Sequence, residues 1–179
     1  MNIYWIILIA VAVLFLWGIF IYNRLIAFRN RTKEAWADID VQLKRRYDLI
    51  PNLVEAVKGY AAHERELFEK VTEARPKAMG AQPVKEKGEA ENFLRETLKS
   101  LFAVSENYPQ LRASENFLAL QGELTDTENK VQAARRFYNT NVRDLKIATD
   151  TFPSNLLANH FNFSKMQYFD LHEASAEKE

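Results

Sequence analysis

The chain has 179 residues, a length that suits one domain, and its 24 basic side chains are balanced by 24 acidic ones. The balance argues against a general nucleic-acid-binding protein, which would carry a basic excess. Five glycines and five prolines leave little room for a turn-rich β-fold, and the absence of cysteine removes disulfides, lipoprotein anchoring and thiol catalysis without fixing the compartment.

The N-terminal apolar segment is the strongest single signal in the chain. Residues 3–22, IYWIILIAVAVLFLWGIFIY, include no charged side chain. A helix of this length is about 30 Å long, which matches the hydrocarbon core of a bilayer. A cleaved signal peptide would need a basic start and a shorter apolar run, and neither is present. We therefore predict a retained transmembrane helix within residues 1–23 that crosses the membrane once.

The charges beside this segment predict its orientation. No charged side chain precedes the segment, whereas four cations follow it before the first acid, Glu34: Arg24, Arg29, Arg31 and Lys33. Positive residues stay on the cytoplasmic side of a membrane. We expect a protein of the cell (inner) membrane with a short N-terminus outside and the bulk of the chain cytoplasmic. The same cations suit contact with anionic lipid headgroups.

The next element is a long amphipathic helix. From Trp36 the apolar residues recur every seven positions to Arg75, straight through Pro51 and Gly59, and they form the wide stripe that a helix shows to a bundle core. Neither Pro nor Gly falls between Ile19 and Ile50. The membrane helix is therefore expected to continue into this helix as a rigid stalk, the alternative being a break near Asn30. A loop punctuated by Pro and Gly is predicted over residues 76–88.

Two further long helices are predicted after this loop. One runs from about Lys87 to Asn107 and stops before Pro109. The other begins after an N-cap at Ser114, ends at Pro153, and carries a coiled-coil-like heptad repeat. Its first column is Phe117, Leu124, Val131, Tyr138, Leu145 and Phe152, and its second is Leu120, Thr127, Ala134, Asn141 and Ala148. Polar Thr127 and Asn141 suggest control of the packing register.

A short helix over residues 156–161 and a polar, acidic tail over residues 166–179 complete the prediction. The fold class is all-α, with a helical bundle over residues 24–165 that follows the transmembrane helix.

The segment around Pro51 is the candidate interaction surface, and it comprises Arg45, Arg46, Asp48, Pro51 and Asn52. Proline within a helix removes one amide donor and frees the carbonyl four residues earlier, so something local should use that carbonyl or the bend. One interpretation is a binding notch. The other is a kink that wraps the helix around its bundle.

Arg46 and Arg45 have different expected roles. Arg46 falls in an otherwise apolar column and would be buried, so it needs an acid such as Glu128 or one from a neighbouring copy. Arg45 and Asp48 should point outward and suit contacts between copies.

Several segments resemble the LemA family of bacterial proteins. WADIDVQLKRRYDLIPNLVEAVKGYAAHE at residues 36–64 carries the likeness, which continues through residues 108–145, TFPSNLLANHFNF and Tyr168-Phe169. One departure is Lys146, where the family often has asparagine. The resemblance implies one N-terminal membrane helix, a short external N-terminus and an antiparallel, up-and-down helical bundle. It supplies no established activity, although one branch is associated with forming magnetosome membranes.

Catalytic motifs are weak. His63-Glu64 begins like a zinc-protease helix, but the second ligand position is Leu67. His160 and His172 lie far from carboxylate clusters in sequence, and no glycine-rich phosphate loop occurs. We expect no enzyme activity, no metal and no cofactor.

Two functional hypotheses remain. The first is a membrane-anchored scaffold that forms homo-oligomers and organises or shapes the membrane. The second is a membrane-tethered adaptor that binds another protein or peptide through the basic segment at residues 44–52. The lipid bilayer is a partner in both, and nucleic acid is a partner in neither.

Overall fold

The computed structural model describes residues 3–163 and 165–170, and it contains only helices and their connections in these ranges. The all-α prediction is confirmed. In chain order the helices are α1 Ile3–Lys58, α2 Arg65–Gly80, α3 Val84–Ser105, α4 Pro109–Arg112, α5 Glu115–Asp150 and α6 Ser154–His160.

The long helices form an antiparallel, up-and-down bundle. Trp36 of α1 packs on Tyr138 of α5 with ring centroids 5.2 Å apart. Farther along α1, Arg45 pairs with Asp126, which lies earlier in α5, so the two helices run in opposite directions. Helices α2 and α3 form a hairpin beside them, closed where Lys87 Nζ donates to the carbonyl of Ala78 at 2.8 Å. The antiparallel bundle is therefore confirmed.

Helix α1 is continuous over 56 residues. Its apolar N-terminal part is long and apolar enough to cross a membrane, and the side chains of that part are almost all exposed. From Ala35 onward the same helix supplies one side of the bundle core. The predicted stalk without a break near Asn30 is present.

The sequence prediction was wrong about where the first bundle helix ends. It extended the helix through Gly59 to Arg75, whereas α1 ends at Lys58 and α2 begins at Arg65. The seven-residue period persists because both arms of this hairpin bury one face, so periodicity alone does not reveal the reversal. Pro76 and Gly80, predicted in a loop, lie within α2, and the connection to α3 is only residues 81–83.

Helix α5 matches its prediction closely at both ends. In its first heptad column every member up to Leu145 is buried, as are Thr127 and Asn141 of the second column. Phe152 departs from the pattern, since α5 ends at Asp150 and this side chain is 75% exposed. The short α4 had no sequence signal beyond Pro109.

The segment assigned to a polar tail begins inside the bundle. Phe169 is fully buried, with its ring edge-on to Trp36 at 5.3 Å. Asn139 holds its backbone, because Nδ2 donates to the Phe169 carbonyl at 3.1 Å and Oδ1 accepts from the Phe169 amide at 2.9 Å. A Cβ at Gly88 would lie 2.5 Å from the carbonyl oxygen of Asp170, so only glycine admits this close approach. The rest of the predicted tail, residues 171–179, lies outside the described residues.

Candidate interaction site

The predicted surface around Pro51 divides into an inner and an outer part. Arg46 is buried at 3% exposure and points into the bundle. The other four members, Arg45, Asp48, Pro51 and Asn52, are exposed on the opposite side of α1. We call these four residues the outer face of α1. The division follows helical geometry, since positions three, four and seven apart share a face.

Arg46 belongs to a buried ionic cluster. Its Nη1 lies 3.1 Å from Glu128 Oε2, the partner expected from the sequence, and 3.5 Å from Glu91 Oε2. Glu91, only 1% exposed, also accepts a hydrogen bond from the hydroxyl of Tyr47. Lys87 stands above the Tyr47 ring, with its Nζ 5.4 Å from the ring centroid. A pair buried this deeply depends on these additional hydrogen bonds, because desolvation opposes the ionic attraction.

Burial dominates the electrostatics of this cluster. It raises the pKa of Glu91, against the opposing effects of the Tyr47 hydrogen bond and the positive charges of Arg46 and Lys87. The pKa of Tyr47 is raised by burial and by the charge of Glu91, so its hydroxyl stays a neutral donor. Burial likewise raises the pKa of Asp40, and Lys87 partly opposes this shift.

The carbonyl freed by Pro51 has an identified partner. Tyr47 O accepts a hydrogen bond from Arg75 Nε of α2 at 2.9 Å. Pro51 thus leaves the carbonyl oxygen of Tyr47 without a partner inside α1, and a side chain of α2 donates a hydrogen bond to it. The carbonyl that Pro51 frees is therefore used in packing between two helices of the same chain.

The membrane-flanking cations lie where α1 leaves its apolar segment. The guanidinium of Arg24 lies 5.5 Å from the ring centroid of Phe28, and that of Arg29 lies 5.4 Å from the ring of Phe163. Arg31 and Lys33 are exposed. The last two are therefore open to solvent, whereas Arg29 is half-buried against Phe163.

An open groove of about 580 Å³ runs between α3 and α5, and sequence reasoning did not find it. Arg46 and Glu128 of the ionic cluster line it, together with the exposed Lys99 and the half-buried Phe102. Its walls come from helices far apart in sequence, so no local pattern marks it.

The two histidines that the structure describes, His63 and His160, belong to no cluster that could hold a metal ion. Within residues 3–163 and 165–170, no three His, Asp or Glu side chains are placed to hold a metal ion. His63 lies in the connection between α1 and α2, and the ring of His160 packs against Phe161 at 4.9 Å. His172 lies outside the described residues.

Fold and site together define a helical-bundle protein built on one long helix whose N-terminal part is suited to a membrane. Residues 35–179 match the model of the LemA family, and the chain belongs to that family.

Curated relatives agree with this assignment. Magnetosome protein MamQ of Magnetospirillum gryphiswaldense is 22% identical over 87% of this chain and 66% of the relative. Magnetosome protein MamQ 1 of Paramagnetospirillum magneticum is 23% identical over 83% of this chain and 64% of the relative. Protein LemA of Metamycoplasma hominis is 26% identical over 84% and 69%, respectively. The chain thus spans slightly less than two thirds of the length of the MamQ proteins.

Proposed function

We propose that this protein is a membrane-anchored helical scaffold that self-associates through the outer face of α1 and organises the membrane around it. The observation that carries the proposal is the continuity of α1, which is at once the apolar segment and a central helix of the bundle. Because the helix is unbroken, the apolar segment is held in a fixed position relative to the bundle. Contacts between bundles would therefore set the spacing and the tilt of the membrane segments. The magnetosome proteins among the relatives support a role at a membrane.

The proposed orientation places the bundle in the cytoplasm. Its support is the charge asymmetry, because the four cations after the apolar segment would stay on the cytoplasmic side. The exposed Arg31 and Lys33 would then face the anionic headgroups of the inner leaflet.

The outer face supplies the contact between copies. Arg45 and Asp48 present opposite charges within one helical turn, and Pro51 and Asn52 add little bulk beside them. A two-fold interface brings the same surface of two copies together, so each Arg45 would meet the Asp48 of its partner. Arg45 pairs with Asp126 at 3.4 Å within the chain, but both side chains are nearly half exposed and this pair is readily exchanged.

The test is the mass of the full-length protein in mild detergent, measured by light scattering for wild type and Arg45→Glu. We expect an oligomer for wild type and a smaller particle for the variant, with unchanged helicity. Arg136→Glu is the matched control, since it reverses another exposed arginine on a different helix. A monomeric wild type, or equal masses for all three proteins, would contradict the scaffold.

A second candidate is an adaptor that binds a separate peptide in the groove between α3 and α5. The favouring observation is the groove itself, which combines the aromatic ring of Phe102 with the positive charge of Lys99. That combination suits an amphipathic segment with acidic residues. Lys99→Glu should remove a co-purifying chain if the adaptor is correct, and it should leave the particle unchanged if the scaffold is correct.

A further inference from the structure

The end of α5 and helix α6 meet beside the membrane segment of α1, and we name residues 147–161 the α5–α6 corner. We propose that this corner lies in the bilayer interface and binds phospholipid of the leaflet in which α1 ends its crossing. The proposal shares with the scaffold only the crossing of the membrane by α1, and it needs no contact between copies.

Contacts between α1 and α6 fix the height of the corner. The ring of Tyr22, which ends the apolar segment, lies 4.8 Å from Phe161 and 6.1 Å from Phe163. On either side of Tyr22 along α1, Ile21 and Leu25 are buried in a small cluster with Ala158 of α6. Because Tyr22 marks the boundary of the apolar segment, α6 is held at the level of the membrane surface.

The corner exposes large apolar side chains at this level. The exposed fractions are 75% for Phe152, 62% for Leu156, 55% for Ile147 and 50% for Phe161. Four such side chains on one short stretch would be unfavourable in water, whereas the interfacial region of a bilayer accepts them. The polar α6 residues Asn159 and His160 are exposed between them, as expected for a segment that lies in the interface and does not cross it.

A groove of about 530 Å³ between α1 and the corner supplies the lipid site. Trp17 and Phe152 are among its apolar lining residues, and Arg24 lines it as well. Along α1, Trp17 lies about 8 Å deeper than Tyr22, while Arg24 lies about 3 Å on the other side. Asp144 of α5 lines the groove as well, but Arg143 Nη2 lies 3.2 Å from its Oδ1 and offsets its charge. The groove therefore has apolar walls at acyl-chain depth and offers Arg24 to a phosphate near the surface, which matches the polarity of one phospholipid.

The test uses the absence of cysteine, because one introduced cysteine can carry a polarity-sensitive fluorophore without background. Full-length Leu156→Cys, labelled and placed in nanodiscs, is compared between ordinary and chain-brominated phosphatidylglycerol mixtures. We expect a blue-shifted emission and a loss of intensity in the brominated discs. Leu118→Cys is the matched control, a leucine 51% exposed near the start of α5, at the opposite end of the bundle, and its intensity should not change.

Equal quenching at both positions, or none at Leu156→Cys, would overturn the proposal. A blue shift without bromine quenching would also overturn it, since a second copy would then cover the corner. If circular dichroism shows that Leu156→Cys is not folded, Phe161→Cys takes its place. Quenching in discs that hold a single copy would support the lipid site even if the scaffold proposal failed.

Discussion

Two adjacent arginines on α1 show how strongly environment decides the role of a charge. Arg45 is nearly half exposed and pairs with a half-exposed aspartate, so solvent screens the interaction. Arg46 is buried between Glu91 and Glu128, where removal of one charge would leave another without compensation.

We expect Arg46→Ala to lower the free energy of unfolding by about 3–5 kcal/mol, because Glu91 would lose its nearest cation. Arg45→Ala should change it by about 0–1 kcal/mol. Urea unfolding of the full-length protein in mild detergent, followed by far-UV circular dichroism, measures both. The double variant Arg46→Met/Glu91→Gln should recover part of the loss, and an Arg46→Ala variant as stable as Arg45→Ala would contradict the buried pair.

The raised pKa of Glu91 predicts a pH dependence of stability. A raised pKa means that the folded state holds the proton more tightly, so stability is fully present below the ordinary value of 4.5 and falls as the pH rises through the folded-state pKa. Glu91→Gln should remove this component and give a shallower slope above pH 4.5. Identical slopes for the two proteins would show that Glu91 does not titrate differently on folding.

At the scale of elements, α5 is the helix that the sequence describes best. Its heptad column is visible because each member contacts the core from one helix face, a local property. Leu124 and Tyr138 are both buried, at 5% and 3% exposure, whereas the neighbouring Glu123 is exposed.

Alanine substitutions along this column should destabilise the protein at buried positions and leave its stability nearly unchanged at exposed ones. Leu124→Ala or Tyr138→Ala is expected to lower the free energy of unfolding by about 2–5 kcal/mol. Glu123→Ala should stay within about 0.5 kcal/mol of wild type. Thermal or urea unfolding decides the question, and equal effects at the three positions would refute the assigned core face.

The contact between α1 and α2 predicts a coupled pair of substitutions. Pro51→Ala restores an amide that can bond to Tyr47 O within α1, and this is the acceptor that Arg75 occupies. Arg75→Ala should therefore cost about 1.5–3 kcal/mol in wild type and clearly less in the Pro51→Ala background. A double-mutant cycle measures the difference, and strict additivity would mean that the two groups are not coupled.

The reversal between α1 and α2 shows where prediction from sequence stops. Gly59 was noted in the sequence, but the apolar columns on its two sides agree with one straight helix as well as with a hairpin. The same limit applies to Glu91, because its contact with Arg46 joins residues 45 positions apart and leaves no local pattern. Glu128 was anticipated as a partner only because Arg46 required an acid. The burial of Phe169 was hidden by the polar residues that follow it.

At the scale of the whole molecule, orientation is the property most open to direct measurement. We expect Gln82→Cys, in the connection between α2 and α3, to be protected from an impermeant thiol reagent added to intact cells. Asn2→Cys should react with that reagent. Labelling of Gln82→Cys before lysis would place the bundle outside and contradict the charge asymmetry.

The continuity of α1 also fixes a rotational phase. Leu25, Thr32, Ile39, Arg46 and Leu53 recur every seven residues and are all buried, so one stripe runs unbroken from the end of the apolar segment into the bundle. Inserting one residue between Leu25 and Ile39 would turn one part against the other by about 100°. The part of α1 that packs on α6 and the part that packs on α5 could then not both keep their buried side chains in the core. The direction in which each side of the apolar segment faces is thus fixed by the packing of α1 in the bundle, and so is the side that a neighbouring protein would contact.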